Sequence, residues 1–284
     1  MEGHWLSRWA VGVSRRKRDS LPAGEIADGV WAIGPWGYTY TVAYLVNSGP
    51  GWTLVDAGWP GDGARIRAAV GSIIGVEKPK GILLTHLHPD HEGDARALAE
   101  RWGCRVWVSQ PELPIALRDF EAMRATAMPL DRWVVLPAMQ LMGSKRRQRI
   151  FAAGTLEPVV RAFDPVRGVP GMPDWVGVPT PGHTAGHLSL FRPHDRVLLS
   201  GDAMVTARID TVSHLVTRRQ GLSGPPWYTT WDADAARRSM AQLAGLAPDV
   251  VGSGHGRPMT GPGTADAVAD FVKRVGASGA AADR

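Results

Sequence analysis

A single cysteine, Cys104, occurs in 284 residues, so no disulfide framework can form within the chain. That scarcity fits a reducing compartment. No apolar run reaches the roughly eighteen residues of a membrane-crossing helix. No apolar stretch follows the basic Arg15-Arg16-Lys17-Arg18 either, so a secretory signal is not expected and the cytoplasm is the expected location. A Gly-x-Ser-x-Gly elbow is missing, which removes the usual serine nucleophile of α/β hydrolases. Net charge is only +5, and the two basic clusters, 15–18 and 145–149, lack interleaved aromatics. This argues against a single-strand nucleic-acid groove of the stacking kind, and solvated faces are the better reading. Neither a short-period repeat nor a linker divides the chain.

What is present is ordinary globular composition, 44% hydrophobic and 21% charged, in a chain long enough to bury its own core. Residues 1–28 read as a basic extension. From Gly29, apolar runs alternate with helical patterns: strands near 30–33, 41–46 and 52–55, a helix over 63–74, a strand over 81–84, a helix over 92–102 and a strand over 105–108. This alternation predicts an α/β layered fold. It breaks at 112–150, a helical insertion rich in methionine that reads as a lid, a dimer contact, a membrane-surface element or plain packing. Strands resume from 157, helices are expected over 232–246 and 265–275, and a frayed tail over 277–284. One domain, 29–276, is the expectation.

The chemistry concentrates in Thr85-His86-Leu87-His88-Pro89-Asp90-His91. Three imidazoles and a carboxylate within six residues, directly after the apolar run 81–84, suit zinc, manganese or ferrous iron. Histidines at i and i+2 on extended backbone face one side, and Asp90 and His91 approach from a helix start. Further polar residues stand where other strands end: Asp56 in Leu54-Val55-Asp56-Ala57-Gly58, His183 in Pro181-Gly182-His183-Thr184, Asp202 in Ser200-Gly201-Asp202-Ala203, and His255 in Gly252-Ser253-Gly254-His255-Gly256. Strand ends are where α/β folds gather their chemistry.

This set, in this order, resembles the metallo-β-lactamase-fold superfamily over about residues 29–260. The resemblance implies an αββα sandwich of two mixed sheets with helices outside, and two divalent metal ions at one edge, zinc first, with iron or manganese as alternatives. It implies that His86, His88 and His183 hold one ion, that Asp90, His91 and His255 hold the other, and that Asp202 bridges them. Asp56 corresponds to a residue orienting the ligand loop. His187 reads as a supporting or core residue, His4 and His194 as surface residues, and His214 as a pocket candidate.

The expected activity is that of a dinuclear metallo-hydrolase. Water held between two divalent ions would lose a proton near neutral pH, its pKa falling far below that of bulk water to about 7, and would attack a carbonyl or phosphoryl centre. Asp90 or Asp202 would pass the proton to the leaving group. Ala203-Met204-Val205-Thr206 stands where quorum-signal lactonases carry a tyrosine, and Tyr228 could supply a phenol from elsewhere. Arg208, Arg218 and Arg219 lie where glutathione-thioester hydrolases carry basic residues, without a motif match. Trp36, Tyr38, Tyr40, Trp59 and Trp227 are expected at the mouth and suggest a small ester, thioester or lactone. The alternatives are a mononuclear iron dioxygenase of the persulfide type, or a non-enzymatic binding protein that keeps the fold. Small-molecule substrate and a homodimer through 112–150 are the expected partners.

Overall fold

The computed structural model describes residues 21–49, 51–141, 154–209 and 219–282. The first half runs β1 (Ala23–Ala27), β2 (Val30–Trp36), β3 (Thr41–Ser48), β4 (Gly51–Val55), α1 (Gly63–Ile74), β5 (Gly81–Leu83), α2 (Pro89–Glu92), α3 (Ala95–Trp102) and β6 (Arg105–Ser109). The insertion follows with α4 (Leu113–Ala116), α5 (Phe120–Ala125) and α6 (Leu136–Leu141), and β7 (Val160–Phe163) closes this half. The second half runs β8 (Val176–Pro179), β9 (Leu188–Arg192), β10 (Val197–Gly201), β11 (Val205–Ala207), β12 (Gln220–Ser223), α7 (Ala233–Gly245), β13 (Val250–Ser253), β14 (Met259–Thr260) and α8 (Thr264–Ala282).

Strands β1 to β7 form one sheet in chain order, antiparallel through β4 and parallel from β4 to β7. A second mixed sheet has the order β14-β13-β10-β9-β8, and β11 and β12 form a separate pair. Side chains alternate across each strand, and the alternation builds the layers. Tyr44, Val46, Val55 and Leu83 face inward and meet Leu188, Leu190, Val197 and Leu199 of the second sheet. Their neighbours Leu45, Leu54 and Ile82 face outward onto Ile66 and Val70 of α1 and Leu98 of α3. On the far side Leu198 and Val251 pack against Met240 and Leu243 of α7 and Val268 and Phe271 of α8. The result is the expected αββα sandwich. Each such buried side chain contributes about 1.5–3 kcal/mol.

Several boundaries differ from expectation. Residues 21–28 belong to the domain, because Leu21 is buried and β1 pairs with β2. The expected helix over 92–102 is two pieces. Gly93 N–H donates to the Gly58 carbonyl, and the Asp94 carboxylate accepts from Gly61 N–H and Gly63 N–H, so the break fastens the ligand helix to the start of α1. Helix α8 continues to Ala282 past the expected frayed boundary, in a run of alanines that favours helix. Asp232 caps α7 by accepting from Ala235 N–H at 2.9 Å. His4, His214 and the basic runs 15–18 and 145–149 lie outside the described residues.

Candidate metal centre

Each candidate follows the C-terminal end of a strand: Asp56 after β4, His86 after β5, His183 after β8, Asp202 after β10 and His255 after β13. His86 and His88 occupy the loop beyond β5 rather than the strand itself, while Pro89 opens α2 and sets Asp90 and His91 in its single turn. The edges of both sheets are stitched at this point. Tyr44 Oη donates to the Ser253 carbonyl at 2.8 Å, and Val42 N–H to the Gly254 carbonyl at 2.8 Å.

All seven expected donors converge. His86, His88 and His183 form one close group, and Asp90, His91 and His255 another. Asp202 lies against both, its Oδ2 3.4 Å from His183 Nε2, 3.6 Å from His91 Nε2 and 3.1 Å from His255 Nε2. Two glycines make the approach possible. A Cβ on Gly254 would stand 2.1 Å from Asp202 Oδ1 and 2.6 Å from His91 Cε1. Gly201 has φ +51°, and a Cβ there would meet His187 Nε2 at 2.7 Å.

Backbone and side-chain partners turn the imidazoles. Asp56, itself at φ +63°, accepts from Thr85 N–H at 2.8 Å, the Thr85 hydroxyl at 3.0 Å and His91 Nδ1 at 2.8 Å. Thr85 Oγ1 in turn lies 3.0 Å from His86 Nδ1, and His255 Nδ1 donates to the Thr39 carbonyl at 2.8 Å. Thus His86, His91 and His255 each present Nε2 to the centre. His187 is a supporting residue, as expected: its Nε2 accepts from Asp202 N–H at 2.9 Å and its Nδ1 lies 2.8 Å from Thr180 Oγ1. His194 is exposed.

Burial and then the neighbouring imidazoles hold His86 and His183 well below the usual histidine range, and burial lowers His88 to about 4. These three rings are neutral, with lone pairs available. Burial would also lower His91 and His255, but the carboxylates around them, Asp202 foremost, overcome it and raise both. Burial opposes charge on Asp202, yet His255 and His91 hold it well below the carboxylate range. His91 Nε2, His183 Nε2 and Asp202 Oδ1 are buried without hydrogen-bond partners. Buried polar atoms are rarely left so. Cations would satisfy them, and a His/Asp donor set suits zinc or iron. The residues therefore fit divalent metal.

One residue escaped the sequence reading. Glu112 is buried, and its Oε1 accepts from the Thr184 hydroxyl at 2.6 Å and Gly186 N–H at 3.0 Å, while Oε2 accepts from Leu87 N–H at 3.2 Å. It joins the loop of His86 and His88 to the turn of His183. Nearby, buried Glu92 accepts from Arg118 Nη2 at 2.6 Å, and burial, opposed by that guanidinium, raises the Glu92 carboxyl to about 7. Arg118 Nε also donates to the Gly154 carbonyl at 3.0 Å.

The donors form the floor of a cavity of about 510 Å³. His88, Asp90, His183, Asp202 and His255 all line it. Of the aromatics expected at its mouth only Trp59 does, joined by Tyr228. Trp36 is buried, donating its Nε1 to Asp62 Oδ2 at 2.7 Å, and the exposed Tyr38 and Trp227 and partly buried Tyr40 stand outside the lining. Tyr228 Oη donates to the Ile209 carbonyl at 3.2 Å. Arg208 and Arg219 lie outside the lining, and Arg218 outside the described residues.

The family model of the metallo-beta-lactamase superfamily matches residues 36–255, from the end of β2 to the last histidine of the cluster. The chain belongs to this superfamily. Among curated relatives, the probable metallo-hydrolase YflN of Bacillus subtilis (strain 168) is 31% identical over 234 residues, 79% of this chain and 82% of that protein. The metallo-beta-lactamase family protein TTHA1429 from Thermus thermophilus has the same fold, with a TM-score of 0.56 at 21% identity over 90% of this chain and 81% of that one. TTHA1623, solved in a di-iron-bound form, is 25% identical with a TM-score of 0.50, covering 79% of this chain and 92% of its own. No helix among the described residues is long and apolar enough to cross a membrane.

Proposed function

We propose that this superfamily member is a dinuclear metal-dependent hydrolase of small esters, thioesters or lactones. The observation that supports it is the convergence of two ligand trios that share Asp202 on the floor of one cavity. His86, His88 and His183 would hold one ion, and Asp90, His91 and His255 the other. Two such ions supply Lewis acidity toward a carbonyl oxygen and a nucleophile at neutral pH. The chain's own residues do the rest. Asp56, Thr85, Thr39 and His187 fix the ring orientations in advance, so little reorganisation is needed. Of the two ligand carboxylates lining the cavity Asp90 is the more exposed, its Oδ2 3.3 Å from His255 Nε2, and it would carry the proton to the leaving group, with Asp202 holding the two trios together.

His88→Ala should lower kcat/KM on a responsive substrate by at least about a hundredfold with an unchanged far-UV spectrum, since the ring faces the cavity and little packing is lost. Full activity in that variant would place the site elsewhere. Metal analysis of protein purified without added metal should give two ions per chain. One iron per chain with oxygen consumption would replace the hydrolase by the persulfide-dioxygenase reading. A loaded protein inert on esters, thioesters, lactones and phosphodiesters would favour a binding protein.

A further inference from the structure

The cavity above the ligands has a floor and a roof of opposite character. The floor is the His/Asp cluster. The roof comes from the insertion, with Ile115, Met123, Met128, Leu130 and Val135 lining the space, and Ile209 and Pro226 close it from the second half. Methionine is pliable and fills irregular apolar space, so two of them in the roof suit a flexible chain better than one rigid shape.

Arg118, Glu92 and Glu112 in the wall are already engaged. Arg118 is the one lysine or arginine among the described lining residues, and it is bound to Glu92 and to the Gly154 carbonyl. Both oxygens of Glu112 are taken by the Leu87 and Gly186 amides and the Thr184 hydroxyl. Asp131 adds a further acid to the roof. An anionic tail on a substrate would therefore lose its hydration and meet acids in place of a counter-charge, which is strongly unfavourable. An aliphatic tail meets the opposite situation, since a space of about 510 Å³ lies within the usual range for enclosing a small organic ligand.

We infer that the insertion makes this cavity a receptor for an uncharged aliphatic acyl chain of medium length. The substrates are then neutral acyl esters, thioesters or alkyl-bearing lactones, with the carbonyl on the ligand floor and the chain under the roof. This rests on the hydrolase reading above and specifies its substrate class.

The test uses full-length, metal-loaded protein and p-nitrophenyl esters from acetyl to decanoyl, together with the hemisuccinate ester. Each buried methylene should raise kcat/KM about fourfold until the chain fills the cavity. Octanoyl should exceed acetyl by at least about thirtyfold, and hemisuccinate should fall at least about tenfold below butanoyl. Met128→Lys places a cation in the roof and should narrow or reverse the discrimination against hemisuccinate. If that variant does not fold, Leu130→Lys makes the same change at a partly exposed position. Esters cleaved with no chain-length dependence, or hemisuccinate cleaved faster than butanoyl, would overturn this inference and leave the hydrolase intact. No cleavage of any ester, nor of the matching thioesters and lactones, would remove the hydrolase reading and this inference with it.

Discussion

Asp56 receives three donors on two oxygens, and two of the three lead to candidate ligands. One is His91 directly; the other is the Thr85 hydroxyl, which touches His86. A single carboxylate thus sets a ring in each trio. Asp56→Asn should loosen both ions by about 10- to 100-fold, measured by competition with a chelator, while the fold survives. Unchanged affinity would reduce Asp56 to a packing role. Asp56 was legible because it closes a strand in a recognisable string, Leu54-Val55-Asp56-Ala57-Gly58. Glu112 was not, because its partners lie 25, 72 and 74 residues away and nothing adjacent marks it. Cys104 follows α3 half-buried, and burial pushes its thiol up to about 11, so it is a weak nucleophile near neutral pH.

At the scale of elements, Glu112 ties together the two segments that carry the first trio and leaves the second trio untouched. Glu112→Gln keeps the shape but sets an NH2 group against one of those donors, so one bond is lost. Stepwise calorimetric titration should then show the His86/His88/His183 ion bound at least about tenfold more weakly and the other within about threefold. Equal loosening at both sites would make Glu112 a general stabiliser. Helix α1 was readable over its full span because its apolar positions recur at helical spacing. The break between α2 and α3 was hidden, since Gly93 and Asp94 only interrupt the helix by bonding to a distant loop. Strands β1, β11, β12 and β14 are short and stand at edges or in the small pair, where pattern is weakest.

For the whole molecule, each trio draws donors from both halves of the sandwich: His183 joins His86 and His88, and His255 joins Asp90 and His91. Ion binding would therefore crosslink the two sheets in the folded state alone. Treatment with a chelator should lower Tm by on the order of 10 °C, from the roughly 4 kcal/mol that a ligand at a thousand times its Kd contributes. A Tm indifferent to metal in calorimetry would mean that the ions bind without bracing the fold. The face-to-face stacking itself could not be read from periodicity, which shows that a strand has two apolar faces and is silent on what covers each. It came from the family resemblance, and the inner cluster shared by Tyr44, Leu83, Leu190 and Leu199 bears it out.

The Arg118 guanidinium reaches both Glu92 and the Gly154 carbonyl, so residues 118 and 154 are held together at one clasp beside α2. The cost of closing a loop grows only slowly with its length. A change in the length of the segment inside that clasp would therefore cost little in closure and need not disturb α2 or the Asp90 and His91 it carries. On the substrate proposal above, a change inside that span would alter which acyl chain is accepted and leave the ligand set at the sandwich edge in place.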